Sequence, residues 1–599
     1  MNYRWQPAPP QPLLVRQLAV TLNLPPLLTQ CLLNRGLSEP GAITRFLRPR
    51  LQQLSDPFQL PDMDRAVTRL FQARERAESL VIFGDYDVDG VTSTALLIEV
   101  FEALGWSARH YLPHRMDEGY GLSQDAVENC LRQFPTTLLL AVDCGSTAVA
   151  TIAWLQERGV DVIVLDHHQI SSPTPAAVAL VNPQAARTPT PASDPPRFTE
   201  LCSVGLAFKL AHALVKRGRE TGLPGAADYD IRPLLDLVAL GTIADIVPLV
   251  DENRILVAAG LARLNTTRRP GLRALKQIAQ TPERLGVYEV GYQLGPRLNA
   301  AGRLETAEES FRLLRAQDDA EALALARQLD ARNHERQKIE RGMVDEVIGA
   351  VRARFNPATD FVIVEGQLLW HIGVVGIVAS RVLQEFYRPT IIVGGEGELW
   401  RGSGRSIAGF DLAAALRECG DLLVHHGGHA MAAGLTIRPD QLDPLRQRLN
   451  ELARRALRPA DLQPPLRLDA EVGFHELSLD MLAQLDRLFP TGPGNPDVGL
   501  FTRNVTHQRP LQRIGANRQH VKLWLTDGTA THEAVWWNAG EASLPVGRFD
   551  VAFAPRENME RLAKFDAMFP AGSPGFPVVD ARTGEVEEVA PGRGYRAIA

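Results

Sequence analysis

The chain of 599 residues is 45% hydrophobic and 22% charged, an ordinary composition for water-soluble domains. Its length allows about two to four of them, each with its own core. A net charge of -6 excludes a uniformly basic nucleic-acid binder, so any positive surface must be local. No apolar run reaches the roughly 18 residues of a membrane span, and Met1 to Trp5 opens no signal peptide. Five scattered cysteines (Cys31, Cys130, Cys144, Cys202, Cys419) form no CxxC pair, so a reducing cytoplasm is expected.

Residues 1–60 carry proline punctuation and a short helical pattern over 27–51, read as an N-terminal arm packed on the domain after it. An amphipathic helix from Ala66 leads into a strand over 80–83. The pattern then alternates: helix 92–104, strand 108–112, helix 123–134, strand 137–142, helix 149–158, and strands 161–165 and 177–181. Short, continuously apolar strands between helices predict a parallel sheet covered on both faces. Ligands bind at the carboxyl ends of such strands.

Acidic residues recur at those ends. The first strand runs into Asp85-Tyr86-Asp87-Val88-Asp89-Gly90, a later one into Asp143, and the next into Asp166-His167-His168. Alternate side chains of an extended chain share one face, so Asp85, Asp87 and Asp89 are expected to point together. Carboxylates about 4 Å apart repel by about 4 kcal/mol at an effective dielectric of about 20. The triplet is therefore either a solvated turn or a cation site. Asp143, His167, His168 and Asp245 add the same ligand chemistry from elsewhere, and mixed carboxylate and imidazole donors suit manganese or a similar divalent ion. Six carboxylates exceed what one ion needs, which favours a pair of ions. Asp236 is nine residues from Asp245, faces another direction on a helix, and is read as structural.

An exposed loop is expected over 187–199. Residues 319–354 read as one helix about 54 Å long, apolar at its ends and polar all round its middle, bridging two domains across solvent over a cleft. A second α/β domain starts near Phe361. It holds glycine-rich stretches around Trp370 to Arg381, Gly402-Ser403-Gly404-Arg405-Ser406 and His425 to Gly434. Glycines before a helix open its N-terminus to phosphate, though tight packing also uses glycine. From about Leu466 short strands and turns take over. Arg513, Arg518 and Lys522 lie close to Trp524, Trp536 and Trp537 there. Basic strands with aromatics suit single-stranded nucleic acid; tryptophans buried in a small barrel are the other reading.

The Asp85 stretch, Asp166-His167-His168 and Gly241-Thr242-Ile243-Ala244-Asp245 resemble the DHH phosphoesterase superfamily, and His426-Gly427-Gly428-His429-Ala430-Met431-Ala432-Ala433-Gly434 resembles its DHHA1 domain. With Asp117 to Ser123, Gly295-Pro296-Arg297-Leu298-Asn299-Ala300-Ala301-Gly302-Arg303 and the second-domain motifs, the order resembles the single-stranded-DNA-specific 5′→3′ exonucleases of that superfamily. The implied fold is two α/β domains joined by a long helix around a cleft, then a β-rich OB-fold. The implied spans are an arm at 1–60, the DHH domain at 61–318, the helix at 319–354, DHHA1 at 355–460, the OB-fold at 461–582 and a tail at 583–599.

The resemblance implies two Mn2+ ions, with Mg2+ as alternative. Asp85 would hold one and Asp87 the other, Asp143 would bridge, His167 and Asp245 would complete the second site, and Asp89 would lie near the first. His168 would contact the scissile phosphate, with Asp166 orienting the histidines. Arg297, Asn299 and Arg303 would meet the substrate backbone; Arg381, Ser403, Arg405, Ser406, Gly428 and His429 would grip nucleotides near the 5′ end. The implied activity is hydrolysis of single-stranded DNA to 5′-mononucleotides in recombination and repair. A monomer is expected, with a single-strand-binding protein and a RecQ-type helicase as partners. The alternatives are a phosphodiesterase of short oligonucleotides or cyclic dinucleotides, and an inactive single-strand-binding scaffold. The chain departs from the family pattern at Cys202-Ser203, where Ala-Gly is usual, and at Cys144-Gly145-Ser146, where Asn-Gly and an aliphatic residue are usual.

Overall fold

The computed structural model describes residues 3–119, 121–186, 196–395, 397–540, 542, 544–556, 576–579 and 586–589. Most of the expected loop over 187–199 and of the tail over 583–599 lies outside them. The chain forms two compact units. One comprises residues 1–4, 48–464 and 490–495, the other 5–47, 465–489 and 496–599.

The first unit opens with a five-stranded sheet: β1 (Leu80–Phe83), β2 (Ala108–Tyr111), β3 (Leu138–Val142), β4 (Asp161–Leu165) and β5 (Ala179–Val181), in the order β2-β1-β3-β4-β5 and parallel throughout. Alternate residues feed two cores. Leu80, Ile82, Leu138, Leu140, Val142, Ile163 and Leu165 face one, while Val81, Phe83, Leu139, Ala141, Val162 and Val164 face the other. That double burial is why these strands read as unbroken apolar runs. The order reverses between β1 and β3, the switch point where such sheets leave a crevice at their carboxyl ends.

Four helices frame that crevice: α1 (Val88–Ala103), α2 (Ser203–Thr221), α3 (Leu235–Ala244) and α4 (Gly295–Leu304). Helix α1 begins four residues earlier than the predicted 92–104, which matters for the acidic triplet. A single 36-residue helix, α5, spans Asp319–Arg354. Its first half packs Ala322, Leu325, Ala326 and Leu329 into the sheet's core, and its second half packs Met343, Val347 and Val351 into another. The middle is solvated on one side only, where His334, Glu335 and Lys338 are exposed. Asn333, Arg336 and Glu340 are buried on the other: Arg336 donates to Asn333 Oδ1 at 2.6 Å and to Glu340, and Arg381 Nε donates to Glu340 at 3.1 Å. These polar residues lie inside because they satisfy one another.

The second sheet contains β6 (Ile363–Leu368), β7 (Thr390–Gly395), β8 (Trp400–Arg405), β9 (Leu423–His429) and β10 (Ala432–Ile437), in the order β9-β10-β8-β7-β6, with α6 (Val375–Phe386) packed on it. The His425 to Gly434 stretch is thus an antiparallel hairpin at the sheet edge, not a loop before a helix.

In the other unit, helices Pro12–Leu22, Pro26–Asn34 and Pro40–Leu47 share a core with Leu485 and Leu488, and Asn34 donates to the Asp469 carbonyl at 2.9 Å. Residues 5–47 of the expected arm thus share a unit with residues 465–489, while its last part, through Leu51, Leu54, Phe58 and Leu60, packs into the core of the domain that follows, as expected. Strands β11 (Leu500–His507), β12 (Gln512–Ile514), β13 (His520–Thr526), β14 (Thr531–Trp536) and β15 (Phe549–Phe553) build a small β-domain. Val521, Leu523 and Leu525 of β13 enter its core, leaving Lys522 and Trp524 on the other face. The tryptophans do not fill the barrel: Trp537 is 66% exposed and Trp536 42%. Among the described residues no helix is long and apolar enough to cross a membrane.

Asp236 is structural in its contacts. It is buried in α3 and accepts from Thr267 Oγ1 at 2.7 Å and Arg269 Nε at 3.0 Å, while Arg269 also binds Glu99 at 2.7 Å. Removing one member of a buried ion pair strands the other. Asp236→Ala is expected to cost about 3–5 kcal/mol in denaturant unfolding while Mn2+ affinity, measured by calorimetry, stays unchanged. Lost affinity at unchanged stability would contradict the structural role.

Candidate metal centre

The acidic triplet does not share one extended face. Asp87 caps α1, accepting from the Asp89 and Gly90 amides at 2.9 and 3.1 Å, so Asp89 already belongs to the first helical turn. A Cβ at Gly90 would lie 2.6 Å from the Asp85 carbonyl oxygen, so only glycine lets α1 start this close to β1. Asp89 turns to the N-terminus of α2, where the Ser203 and Val204 amides donate to it at 2.7 and 2.8 Å. Asp143, just past β3, has φ +64°, a left-handed conformation that stores strain in a non-glycine residue. Ser203 Oγ holds it by donating to Oδ1 at 2.9 Å.

Three groups of ligand atoms result, each mutually within 4.8 Å: Asp85 with Asp87 and Asp143, Asp143 with His167 and His168, and, sharing no member with these, Asp89 with Cys202 and Asp245. His167 Nε2 ties the sets together, 3.5 Å from Asp143, 3.4 Å from Asp245 and 3.9 Å from Asp89. The grouping sets Asp89 with Asp245, not beside Asp85. Asp166 stands behind: buried, it accepts from the Ser146 amide at 3.0 Å and pairs with His168 Nδ1 at 2.7 Å. Asn182 steadies that corner by donating to Ser146 Oγ and the His168 carbonyl, both at 2.8 Å.

The electrostatics show what these groups lack. Burial, then the Asp87 charge, pushes the Asp85 carboxyl up to about 7, and the same causes push Asp89 up to about 7. Asp143 and Asp245 are also raised, by burial and then by the Asp89 and Asp87 charges. Burial opposes the Asp166 charge too, but the His168 hydrogen bond and the histidine charges outweigh it and hold Asp166 below the usual range. His168 rises to about 9 because its bond to Asp166 overcomes burial, whereas burial and the His168 charge lower His167 to about 4. Asp85 Oδ1, His167 Nε2 and Asp245 Oδ2 are buried without a hydrogen-bond partner. Orphaned acceptors among crowded carboxyls are what a divalent cation satisfies, so the donor set fits one.

Basic groups cluster near these acids. Arg303 of α4 donates to the Gly373 carbonyl at 3.3 Å, and a Cβ at Gly373 would meet the Arg303 carbonyl oxygen at 2.3 Å, so α4 and the loop before α6 are in close contact. Ser403 and Arg405 are two residues apart on β8, joined by a 2.9 Å hydrogen bond, and a Cβ at Gly376 in the first turn of α6 would lie 3.1 Å from each. Burial, then the charge of Arg115, lowers Arg405 and brings Arg303 to about 10, while the His429 charge reaches His167. The sequence motifs did not single out Arg115. Its guanidinium lies 4.9 Å from the Tyr86 ring centroid, in the turn Arg115–Glu118 after β2. A basic residue just past a strand's carboxyl end was the signal available.

Other expected residues are engaged elsewhere. Arg297 pairs with Asp330 of α5 at 2.9 Å, and Asn299 Oδ1 accepts from the Val88 amide at 3.1 Å. Ser406 is buried with its hydroxyl on the Phe410 carbonyl, and Arg381 is bound to Glu340. Gly428 serves the hairpin, since a Cβ there would meet the Ala432 carbonyl oxygen at 2.5 Å. In the β-domain, Arg509 and Lys522 flank the Trp524 ring at 6.0 and 5.8 Å, Lys522 also pairs with Glu533 at 2.8 Å, Arg513 binds the Gly540 carbonyl, and Arg518 sits in a turn with φ +52°.

Comparison with known proteins agrees with this architecture. Residues 79–242 match the DHH family, N-terminal domain; 359–455 match the DHHA1 domain; 468–561 match the RecJ OB domain. The single-stranded-DNA-specific exonuclease RecJ of Bacillus subtilis is 38% identical over 90% of this chain and 66% of its own length. The RecJ of Dickeya dadantii is 38% identical over 84% of this chain and 87% of its own. The crystal structure of Thermus thermophilus RecJ with Mn2+ superposes at a TM-score of 0.77 and 29% identity, covering 98% of this chain and 78% of that one; the same protein is also known with Mg2+. A DHH domain, a DHHA1 domain and a RecJ-type OB domain on one chain, with identity at this level, mean that the chain belongs to the RecJ family.

Proposed function

We propose that the chain is a metal-dependent exonuclease that degrades single-stranded DNA from its 5′ end to 5′-mononucleotides, in recombination and repair. The observation that carries this reading is the convergence of Asp85, Asp87, Asp89, Asp143, Asp245 and His167, three of them with orphaned buried atoms, beside the basic groups Arg115, Arg303, Arg405 and His429.

Asp85, Asp87 and Asp143 would hold one ion, and Asp143, Asp89, Asp245 and His167 the other. Imidazole with carboxylate suits Mn2+, with Mg2+ as the alternative. When bound, two such ions supply Lewis-acid charge to the phosphoryl oxygens and acidify water near neutral pH. The chain's own groups do the rest. Asp166 binds Nδ1 of His168 and leaves Nε2 facing away from it; that bond favours the protonated ring, which would offer a positive donor to a phosphate oxygen. Arg115 and Arg405 have no carboxylate partner among the described residues and suit a terminal phosphate, whose extra charge distinguishes a 5′ end. Trp524, with Arg509 and Lys522 over its ring, joins an aromatic surface to positive charge, a combination suited to single-stranded nucleic acid. A monomer in the cytoplasm, working with a single-strand-binding protein and a RecQ-type helicase, is the setting the family resemblance implies.

With Mn2+, a 5′-end-labelled single strand should release labelled mononucleotide at once, while a 3′-end label stays on long product and a blunt duplex persists. Equal rates on a dinucleotide and a long strand would instead favour a small-substrate phosphodiesterase. Asp143→Ala should abolish hydrolysis and leave single-strand binding intact; turnover at the unaltered rate would remove Asp143 from the centre. Arg115→Ala should lose about 2 kcal/mol, roughly 30-fold in kcat/KM, on 5′-phosphorylated strands and little on 5′-hydroxyl strands.

A pH dependence arises from Asp85 and Asp89. With both raised to about 7 by burial and then by Asp87, the metal-free fold prefers them protonated. That contribution to stability is complete below the unfolded carboxylate range near about 4 and is lost as pH rises through about 7. A divalent ion replaces the proton, so the increase in Tm on adding Mn2+ should be small near about pH 5 and grow towards about pH 8. Calorimetric melting with and without Mn2+ measures it; an increment independent of pH would contradict the assignment.

A further inference from the structure

Cys202 occupies the N-cap of α2 but makes no capping hydrogen bond. Caps are normally Ser, Thr, Asp or Asn, whose oxygens bind the free helix amides. Here the thiol is turned elsewhere. It is wholly buried, Sγ lies 3.4 Å from Thr242 Oγ1 of α3, and it falls within 4.8 Å of ligand atoms of both Asp89 and Asp245. The imidazole of His167 stands 3.9 and 3.4 Å from those two carboxylates. His167 Nε2 and Asp245 Oδ2 are among the buried atoms that lack a partner. Among the described residues, Cys31, Cys130, Cys144 and Cys419 are also buried but join no such group.

We propose that Cys202 is a thiol ligand of the metal centre, so that the Asp89, Asp245, His167 and Cys202 position takes soft divalent cations, of the zinc and cadmium class, more tightly than Mn2+. The sulfur joins the carboxylates and imidazole already assigned to that ion, and thiolate selects zinc-like ions where carboxylate alone would not. The sulfur–metal bond forms as the S–H bond breaks, and the proton leaves to buffer. In practice such an ion would displace manganese at one of the paired positions and leave the Asp85–Asp87 side unchanged. The inference rests on the two-ion reading above, yet the two can fail separately.

Cobalt is the probe, because a thiolate ligand gives Co2+ an intense near-ultraviolet charge-transfer band that oxygen and nitrogen ligands do not. Titrating Co2+ into the metal-free full-length chain should develop that band in the unaltered protein. Cys202→Ser and Cys202→Ala, both checked for an unchanged melting curve, should bind Co2+ without it. Calorimetry with Cd2+ should show affinity falling roughly tenfold or more in Cys202→Ser, with Mn2+ affinity held. Absence of the band from the unaltered protein overturns the thiol ligand, even if two Mn2+ still bind and the two-ion reading stands. A band that persists in Cys202→Ser, or equal Cd2+ affinities, overturns it as well. If no divalent ion binds at all, both readings fall together.

Discussion

The structure depends on the mutual repulsion of carboxylates packed at the carboxyl ends of β1, β3 and β4 and the adjoining helix ends. Asp85, Asp89 and Asp143 are almost wholly buried, and their protons are held far above the usual carboxylate range. Left charged and unpaired, such groups would cost several kcal/mol each. The fold accepts this by supplying partial compensation from backbone amides: Ser203 and Val204 to Asp89, Ser146 to Asp166, and the first turn of α1 to Asp87. Those amides position the oxygens without neutralising them. The proposed pair of cations would complete the arrangement, and Asp143, with its left-handed backbone, lies where both would be reached.

A complementary problem lies beside it. Burial, then the charge of Arg115, lowers both Arg303 and Arg405, and the Arg336 charge, itself paired with Asn333 and Glu340, adds to the effect on Arg303. In the proposed reading a phosphodiester would satisfy both sets, with cations between the carboxylates and the scissile phosphate and guanidinium on the neighbouring phosphate. Helix α5 couples the two halves mechanically, because its ends are locked into separate cores and its middle carries buried polar contacts to α6. The buried ladder makes that connection stiffer than a solvated linker would be.

Much of this was legible in the sequence where periodicity and burial act together. Unbroken apolar runs located four of the five strands of the first sheet, the edge strand Ala108–Tyr111 with its Arg109 and His110 being placed by the alternation, and a sustained helical pattern located Asp319–Arg354. Failures came where local polar chemistry overrides periodicity. Asp-x-Asp-x-Asp looks like a strand end by alternation, but Asp87 is a strong N-cap and starts the helix early, so the three aspartates diverge. The polar middle of α5 looks solvated all round because single residues do not reveal that Asn333, Arg336 and Glu340 satisfy one another. The histidine–glycine stretch is a hairpin in which Gly428 permits the close approach of the Ala432 carbonyl oxygen, a use of glycine that its sequence alone does not separate from phosphate binding. The arm at 5–47 packs with residues more than 400 positions away, a pairing no local pattern encodes. Arg115 had only its place just past a strand's carboxyl end to mark it, because its relevance is set by the distant Arg303 and Arg405.

The central claim is that these donors hold two ions as one unit, bridged by Asp143. Titration of Mn2+ into the metal-free chain, followed by electron paramagnetic resonance, tests it most directly. Two ions per chain, whose signal broadens and weakens through exchange as the second binds, are predicted for sites about 3.5–4 Å apart. A single bound ion, or two with the sharp spectrum of isolated Mn2+, would contradict the account.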